Sequence, residues 1–195
     1  MNAQQYQHIR EAWLTAFTDG LRPMFEDAGA AIPEKVRSSV GWPSKQALAP
    51  KYRVLGQCWS PRCSSEGVIE IFISPLVGDA VEVGEILAHE LVHAAVGTAC
   101  GHRGAFKRLA LTIGLVGPMR STRAGDELRE HLNALQREIG PYPHAAMAIS
   151  SVSRQKTRML KIECPACEYR ARVSQKWLDV GAPTCPCGTV MRHMP

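Results

Sequence analysis

Apolar residues recur along the chain at two different spacings, and the changes between them mark out its elements. Over residues 4–28, Ile9, Trp13, Ala16, Phe17, Leu21 and Phe25 fall three or four apart, which predicts an amphipathic helix. Pro23 sits inside this stripe and is expected to kink or divide it, while Gly29 and Pro33 close it. The period then shortens. Residues 35–42 alternate and stop at Pro43. Residues 53–59 and 67–74 alternate around the polar stretch 60–66, as the two arms of a hairpin would. In the second arm Ile69, Ile71 and Ile73 share one side, and Val68, Glu70 and Phe72 the other.

A helical period returns over residues 81–98, carried by Ile86, Leu87, Leu91, Val92 and Val96. Glycines at 97, 101 and 104 break it, and residues 105–113 restart as a short helix closed by Gly114. A third amphipathic helix spans residues 126–139, with Leu128, Leu132, Leu135 and Ile139 on one stripe, and Gly140, Pro141 and Pro143 end it. Residues 146–158 are small, polar and basic, which suits a linker. The expected organisation is α+β: a main domain over 1–145, the linker over 146–158, and a small module over 159–195.

Cysteines change the picture of that last module. Four of the seven, Cys164, Cys167, Cys185 and Cys187, lie close together there, while Cys58, Cys63 and Cys100 are scattered. Two thiol pairs beside prolines and a glycine fit a zinc ribbon with one structural Zn2+, since so short a segment cannot bury enough apolar surface to fold alone. The second pair is CxC, tighter than CxxC, which leaves room for His193 to replace one thiolate. Between the pairs, Trp177 is expected to cover the site. Cys58 and Cys63 flank a proline turn and read as independent thiols, with a second redox or metal pair as the alternative; Cys100 reads as a small packed residue.

Charge is equally uneven. Residues 1–145 carry 15 Lys/Arg and 15 Asp/Glu, whereas residues 146–195 carry 8 against 3, the whole of the net +5. A basic C-terminal region suits DNA or another polyanion, or protein contact in its place. No run approaches the roughly 20 apolar residues of a membrane helix. Residues 1–10 lack the pattern of a secretory leader, so a cytoplasmic protein with no membrane partner is expected.

The chemistry concentrates in His89-Glu90-Leu91-Val92-His93. At i and i+4 on a helix, two imidazoles share one face and reach one ion, which in zinc sites is completed by a third ligand. His102, beyond a glycine-punctuated turn, is the candidate, with Asp126 and Glu127 as competitors. Glu90 lies beside the ion and not on it, placed to take a proton from water and pass it to a leaving amine. The apolar neighbours make this a buried helix, where unpartnered imidazoles would be costly. A strand rich in β-branched residues precedes it, as in zinc peptidases where an edge strand binds the substrate. Tyr142, His144 and Arg103 are candidates to polarise the tetrahedral intermediate, though a structural role suits each better. Met119 reads as a core residue sooner than as the floor of the metal site.

HELVHAAVG (89–97) followed by GHRGAFKRLALTIGL (101–115) resembles the SprT-like zinc metallopeptidases, which include the Spartan proteases acting on DNA–protein crosslinks. The likeness is specific over 89–115. It extends loosely to most of the chain, because such proteins often append a C-terminal zinc ribbon, as short bacterial and phage forms do. It implies a zincin-like minidomain, with the HExxH helix on a small, mostly antiparallel sheet, and His89, His93 and His102 as catalytic zinc ligands around Glu90. It further implies hydrolysis of peptide bonds in DNA-associated or DNA-crosslinked protein. Arg103 departs from the glycine usual after the third histidine and bears on the shape of the adjoining cleft. Two other functions stay open: a non-enzymatic nucleic-acid-binding protein with two structural zincs, and a zinc hydrolase of small molecules.

Overall fold

The computed structural model describes residues 9–49, 51–149 and 159–194. The chain divides into two compact units, Met1–Ile149 and Ser150–Pro195. Both are α+β, with five helices in all among the described residues. Most of the expected linker, residues 150–158, lies outside the described residues. Its first residues pack with the first unit, where the Met147 N–H donates to Pro75 O at 2.9 Å.

In the first unit the helical stripe at the N-terminus becomes α1 (Arg10–Asp27), with Trp13, Leu14, Phe17, Leu21 and Phe25 fully buried. Pro23 does not divide it. Leu21 and Phe25, on either side of the proline, both reach the core, and their burial outweighs one lost helical hydrogen bond. The part of the expected helix before residue 9 lies outside the described residues.

Three strands follow: β1 (Val36–Val40), β2 (Gly56–Trp59) and β3 (Ile69–Ile73). β2 and β3 form the expected antiparallel hairpin, and Ile69, Ile71 and Ile73 are the buried face. The sheet as a whole is mixed and not mostly antiparallel. Its order is β1-β3-β2, and β1 runs parallel to β3 with Val36 opposite Ile69. Alternation reports which face a residue occupies but not which neighbour its strand takes, and the connection from β1 to β2 is long enough to leave a gap that β3 fills.

α2 (Ala80–Val96) carries the HExxH segment. Asp79 caps it by accepting the Glu82 N–H at 2.9 Å. Val83, Leu87, Ala88, Leu91 and Val92 are buried. α2 packs on the sheet and on α1, and also meets α3 (Ala105–Thr112) and α4 (Asp126–Ile139). Between those helices a two-residue hairpin forms, β4 (Leu115–Val116) with β5 (Arg123–Ala124), which no periodicity announces.

The second unit is a three-stranded sheet in the order β7-β6-β8, from β6 (Leu160–Glu163), β7 (Arg170–Val173) and β8 (Arg192–His193), with a short helix α5 (Gln175–Val180). Its buried cluster is Ile162, Cys164, Cys185 and Met191, with Ala171, Val173 and Leu178 against it. Leu178 thus takes the covering role expected of Trp177, which is 57% exposed. On a six-residue helix, adjacent positions face different ways, and only one of the two can point inward.

Candidate metal centre

Two elements bring the histidines together. His89 and His93 project from one face of α2, and His102 returns from the turn that follows it. That turn depends on Gly101 (φ 53°, ψ −132°) and Gly104 (φ 52°, ψ −116°), backbone conformations that a residue with a Cβ rarely adopts. Beneath the three rings lies Phe106 of α3, fully buried, with ring centroids 4.9, 4.3 and 4.9 Å from those of His89, His93 and His102.

His102 Nε2 stands 3.2 Å from His89 Nε2 and 3.2 Å from His93 Nε2. A ring nitrogen has one hydrogen or one lone pair, so hydrogen bonding serves only one of these contacts well. A tetrahedral ion with Zn–N bonds of about 2.0–2.1 Å would hold its nitrogens about 3.3 Å apart, close to the observed spacing. Burial, and then the charges of the neighbouring rings, lowers His89 to about 3. Burial and His102 lower His93 to about 4, and burial followed by the Arg120 charge lowers His102. All three are therefore neutral, the form that ligates metal. The donor set and its spacing fit a zinc ion.

Asp126 and Glu127 lie outside the three-histidine cluster. They occupy the first turn of α4, where carboxylates complement the helix terminus, and the cluster consists of His89, His93 and His102. Cys100 donates its thiol hydrogen to Gly97 O at 3.3 Å. A scan of family models, and searches of curated proteins and of solved structures, find no match to this chain.

Glu90 is 6% exposed and sits between α2 and β2. A Cβ on Gly56 would lie 2.5 Å from Glu90 Oε1 and 2.6 Å from Ile86 Cγ2, so the close approach of strand to helix requires glycine there. Burial pushes the Glu90 carboxyl up to about 8, against the pull of a hydrogen bond from the Cys58 main chain. A carboxyl raised toward neutrality is suited to taking a proton and giving it back. Cys58, raised to about 12 by burial and then by Glu90, stays a thiol and packs against the core. Cys63, in a 3-10 turn, is exposed, and both are free thiols.

The register of β2 shows which of its main-chain groups are open. The Ser74 N–H donates to Leu55 O at 2.8 Å, so by alternation Gln57 and Trp59 also bond to β3, and the main-chain groups of Gly56 and Cys58 face the outer edge, where the Cys58 N–H is taken by Glu90 and the Gly56 N–H and the two C=O groups are left to a partner. β3, the strand whose β-branched residues suggested a substrate edge, is the central strand; the open edge next to α2 belongs to β2.

One contributor has no signal in the sequence. His89 Nδ1 lies 2.8 Å from Thr122 Oγ1, just before β5. With Nε2 given to a metal, Nδ1 would carry the proton and donate it to the threonine, which would fix tautomer and ring orientation. His93 Nδ1 is buried without such a partner. Next to Thr122, Arg123 pairs with Glu85 (3.4 Å) and Glu82 (3.7 Å) of α2, and Arg129 lies 2.8 Å from the buried Glu85, pinning the hairpin to the helix that carries His89. Thr122→Val is expected to weaken zinc binding at this centre by roughly 10–100-fold, with Thr122→Ser near wild type, as read by competition against a chelator.

Of the candidate polarising residues, Tyr142 packs edge-on against Trp13 at 4.9 Å, and His144 bonds Arg10 and Pro75 O. Both serve packing. Arg103 borders a cavity next to His102, and Met119 lines that cavity while packing against the core.

In the second unit, Cys164 Sγ is 3.5 Å from Cys187 Sγ, and Cys167 Sγ is 3.4 Å from Cys185 Sγ. A tetrahedral zinc with Zn–S bonds of about 2.3 Å would set them about 3.8 Å apart, so the CxC spacing accommodates four thiolates. Hydrogen bonding from the Thr189 side chain and main chain holds Cys187 below its ordinary range, toward the thiolate. His193 lies exposed on β8, and the cluster is the four cysteines.

Proposed function

We infer that this chain is a zinc-dependent metalloendopeptidase of the SprT-like kind, acting on DNA-associated or DNA-crosslinked protein in the cytoplasm. The observation that carries the reading is the convergence of three neutral imidazoles at ligand spacing beside the buried Glu90, under the open edge of β2.

His89, His93 and His102 would hold the catalytic ion, and Cys164, Cys167, Cys185 and Cys187 a structural one. Zinc in the histidine site supplies a Lewis acid for a carbonyl oxygen and makes water a better nucleophile. The chain's own groups do the rest. An extended polypeptide adds to the Gly56 N–H and C=O and the Cys58 C=O as an extra strand and passes Glu90, which already holds the Cys58 N–H. Glu90 removes a proton from the attacking water and delivers it to the departing amine nitrogen. Thr122 keeps the His89 ring turned toward the centre.

Support for DNA contact comes from the second unit, where Arg172, Lys176 and Arg192 are exposed, as are Tyr169 (52%) and Trp177 (57%), and Lys176 Nζ lies 4.9 Å from the centre of the Trp177 ring. Cationic groups interleaved with exposed rings suit a nucleic-acid strand. Among the described residues no helix is long and apolar enough to cross a membrane.

Metal analysis of wild type beside His93→Ala, paired with cleavage of an unstructured protein in the presence of DNA, tests this function. Wild type should carry two zinc equivalents and cleave; the variant should carry one and be inert. A variant that keeps both equivalents, or digests at the wild-type rate, removes the assignment.

A further inference from the structure

Between the turn that bears His102 and the turn joining β4 to β5 lies a cavity of about 560 Å3. Cys100, His102 and Arg103 form one wall, and Pro118, Met119 and Arg120 the other. Because His102 is part of its lining, whatever enters is held against the metal centre.

The charge of this lining is one-sided. Arg103 and Arg120 are both exposed, no acidic residue lines the cavity, and among the described residues neither guanidinium pairs with a carboxylate. Other arginines of the same unit are engaged: Arg22 with Asp19, Arg37 with Glu66 and Glu70, and Arg123 and Arg129 with Glu85. Arg120 is close enough to His102 for its charge to disfavour the imidazolium. Two unpaired guanidiniums beside a cationic centre leave a positive potential that a ligand can relieve.

The shape narrows the choice of anion. Ala99, Cys100, Pro118 and Met119 give the walls an apolar component, suited to the stem of a side chain whose tip is charged. A nucleic-acid backbone asks for an extended basic stripe, and residues 1–145 balance 15 Lys/Arg with 15 Asp/Glu. We propose that this cavity is a subsite for an acidic side chain, Glu or Asp, next to the scissile peptide bond, with Arg103 and Arg120 as its specificity-determining residues. The proposal rests on the metallopeptidase reading and names its substrate class.

Binding of two short peptide hydroxamates to the zinc-loaded full chain tests it, because the hydroxamate anchors on the metal and the neighbouring residue probes the cavity. The pair differs only there, Glu in one and Gln in the other. Exposed guanidinium–carboxylate pairs contribute modestly, so the Glu peptide should bind roughly tenfold tighter in low salt. In an Arg103→Gln/Arg120→Gln variant that keeps two zinc equivalents and the wild-type melting temperature, the preference should vanish while the Gln peptide binds as before. Equal binding of the two peptides to wild type overturns the subsite and leaves the metallopeptidase reading standing. Failure of both peptides to bind overturns both readings, since an open metal centre must take a hydroxamate. Displacement of the Glu peptide by a short oligodeoxynucleotide at matching concentration would assign the cavity to phosphate and overturn the peptide assignment.

Discussion

Glu90→Gln should retain both zinc equivalents and lose peptide hydrolysis by roughly 10²–10⁴-fold, the usual contribution of a positioned general base. Glutamine has the same shape, so it fills the space between α2 and Gly56 that the carboxylate fills now. It takes no part in the candidate ligand cluster of His89, His93 and His102. What it lacks is an oxygen able to accept a proton and return it. Metal content measured beside the rate on an unstructured protein substrate separates the roles. Unchanged zinc with undiminished cleavage would mean that another group moves the proton; lost zinc would mean that Glu90 shapes the site.

The second large effect concerns the C-terminal unit. Replacing Cys185 with alanine should unfold that unit and remove one zinc equivalent, while the first unit stays folded on its own core. Two of the four buried residues there, Cys164 and Cys185, belong to the candidate metal cluster, leaving Ile162 and Met191 with little else to bury. Structural zinc contributes about 10–16 kcal/mol to such modules, far more than this apolar cluster can replace. Limited proteolysis should then cut within residues 159–194 and spare 9–149. A variant that resists protease throughout would show that packing alone holds the sheet.

The elements with a strong, single period were legible in the sequence. The spacing of Leu128, Leu132 and Leu135 predicts a helix over 126–139, and α4 has those bounds. Ile69, Ile71 and Ile73 mark the buried face of β3, and the HExxH segment lies on a buried helix as read. Less legible were features set by partners distant in sequence. The parallel placement of β1 beside β3 leaves no trace in alternation, and a two-residue hairpin such as β4 with β5 is too short to have a period. Thr122 stayed hidden for that reason: 33 residues separate it from His89, and only the hairpin brings them within 2.8 Å. Gly56 reads as an ordinary glycine until the helix it admits is in view. In the second unit, composition foretold that the four cysteines gather but not which apolar residue would cover them, because Trp177 and Leu178 are neighbours on one short helix.

If substrate docks as proposed, the outward Gly56 main chain and the Cys58 C=O have one more consequence. Amides recognise amides whatever the side chains, so such a rail is indifferent to most of a target's sequence but exacting about its state. A compact protein has already committed its own N–H and C=O groups to internal ladders, and has no free length to lay alongside. Only a stretch that has come loose can dock. Discrimination between damaged and intact neighbours would then be a property of one strand's edge, needing no separate inhibitor to spare the well-folded.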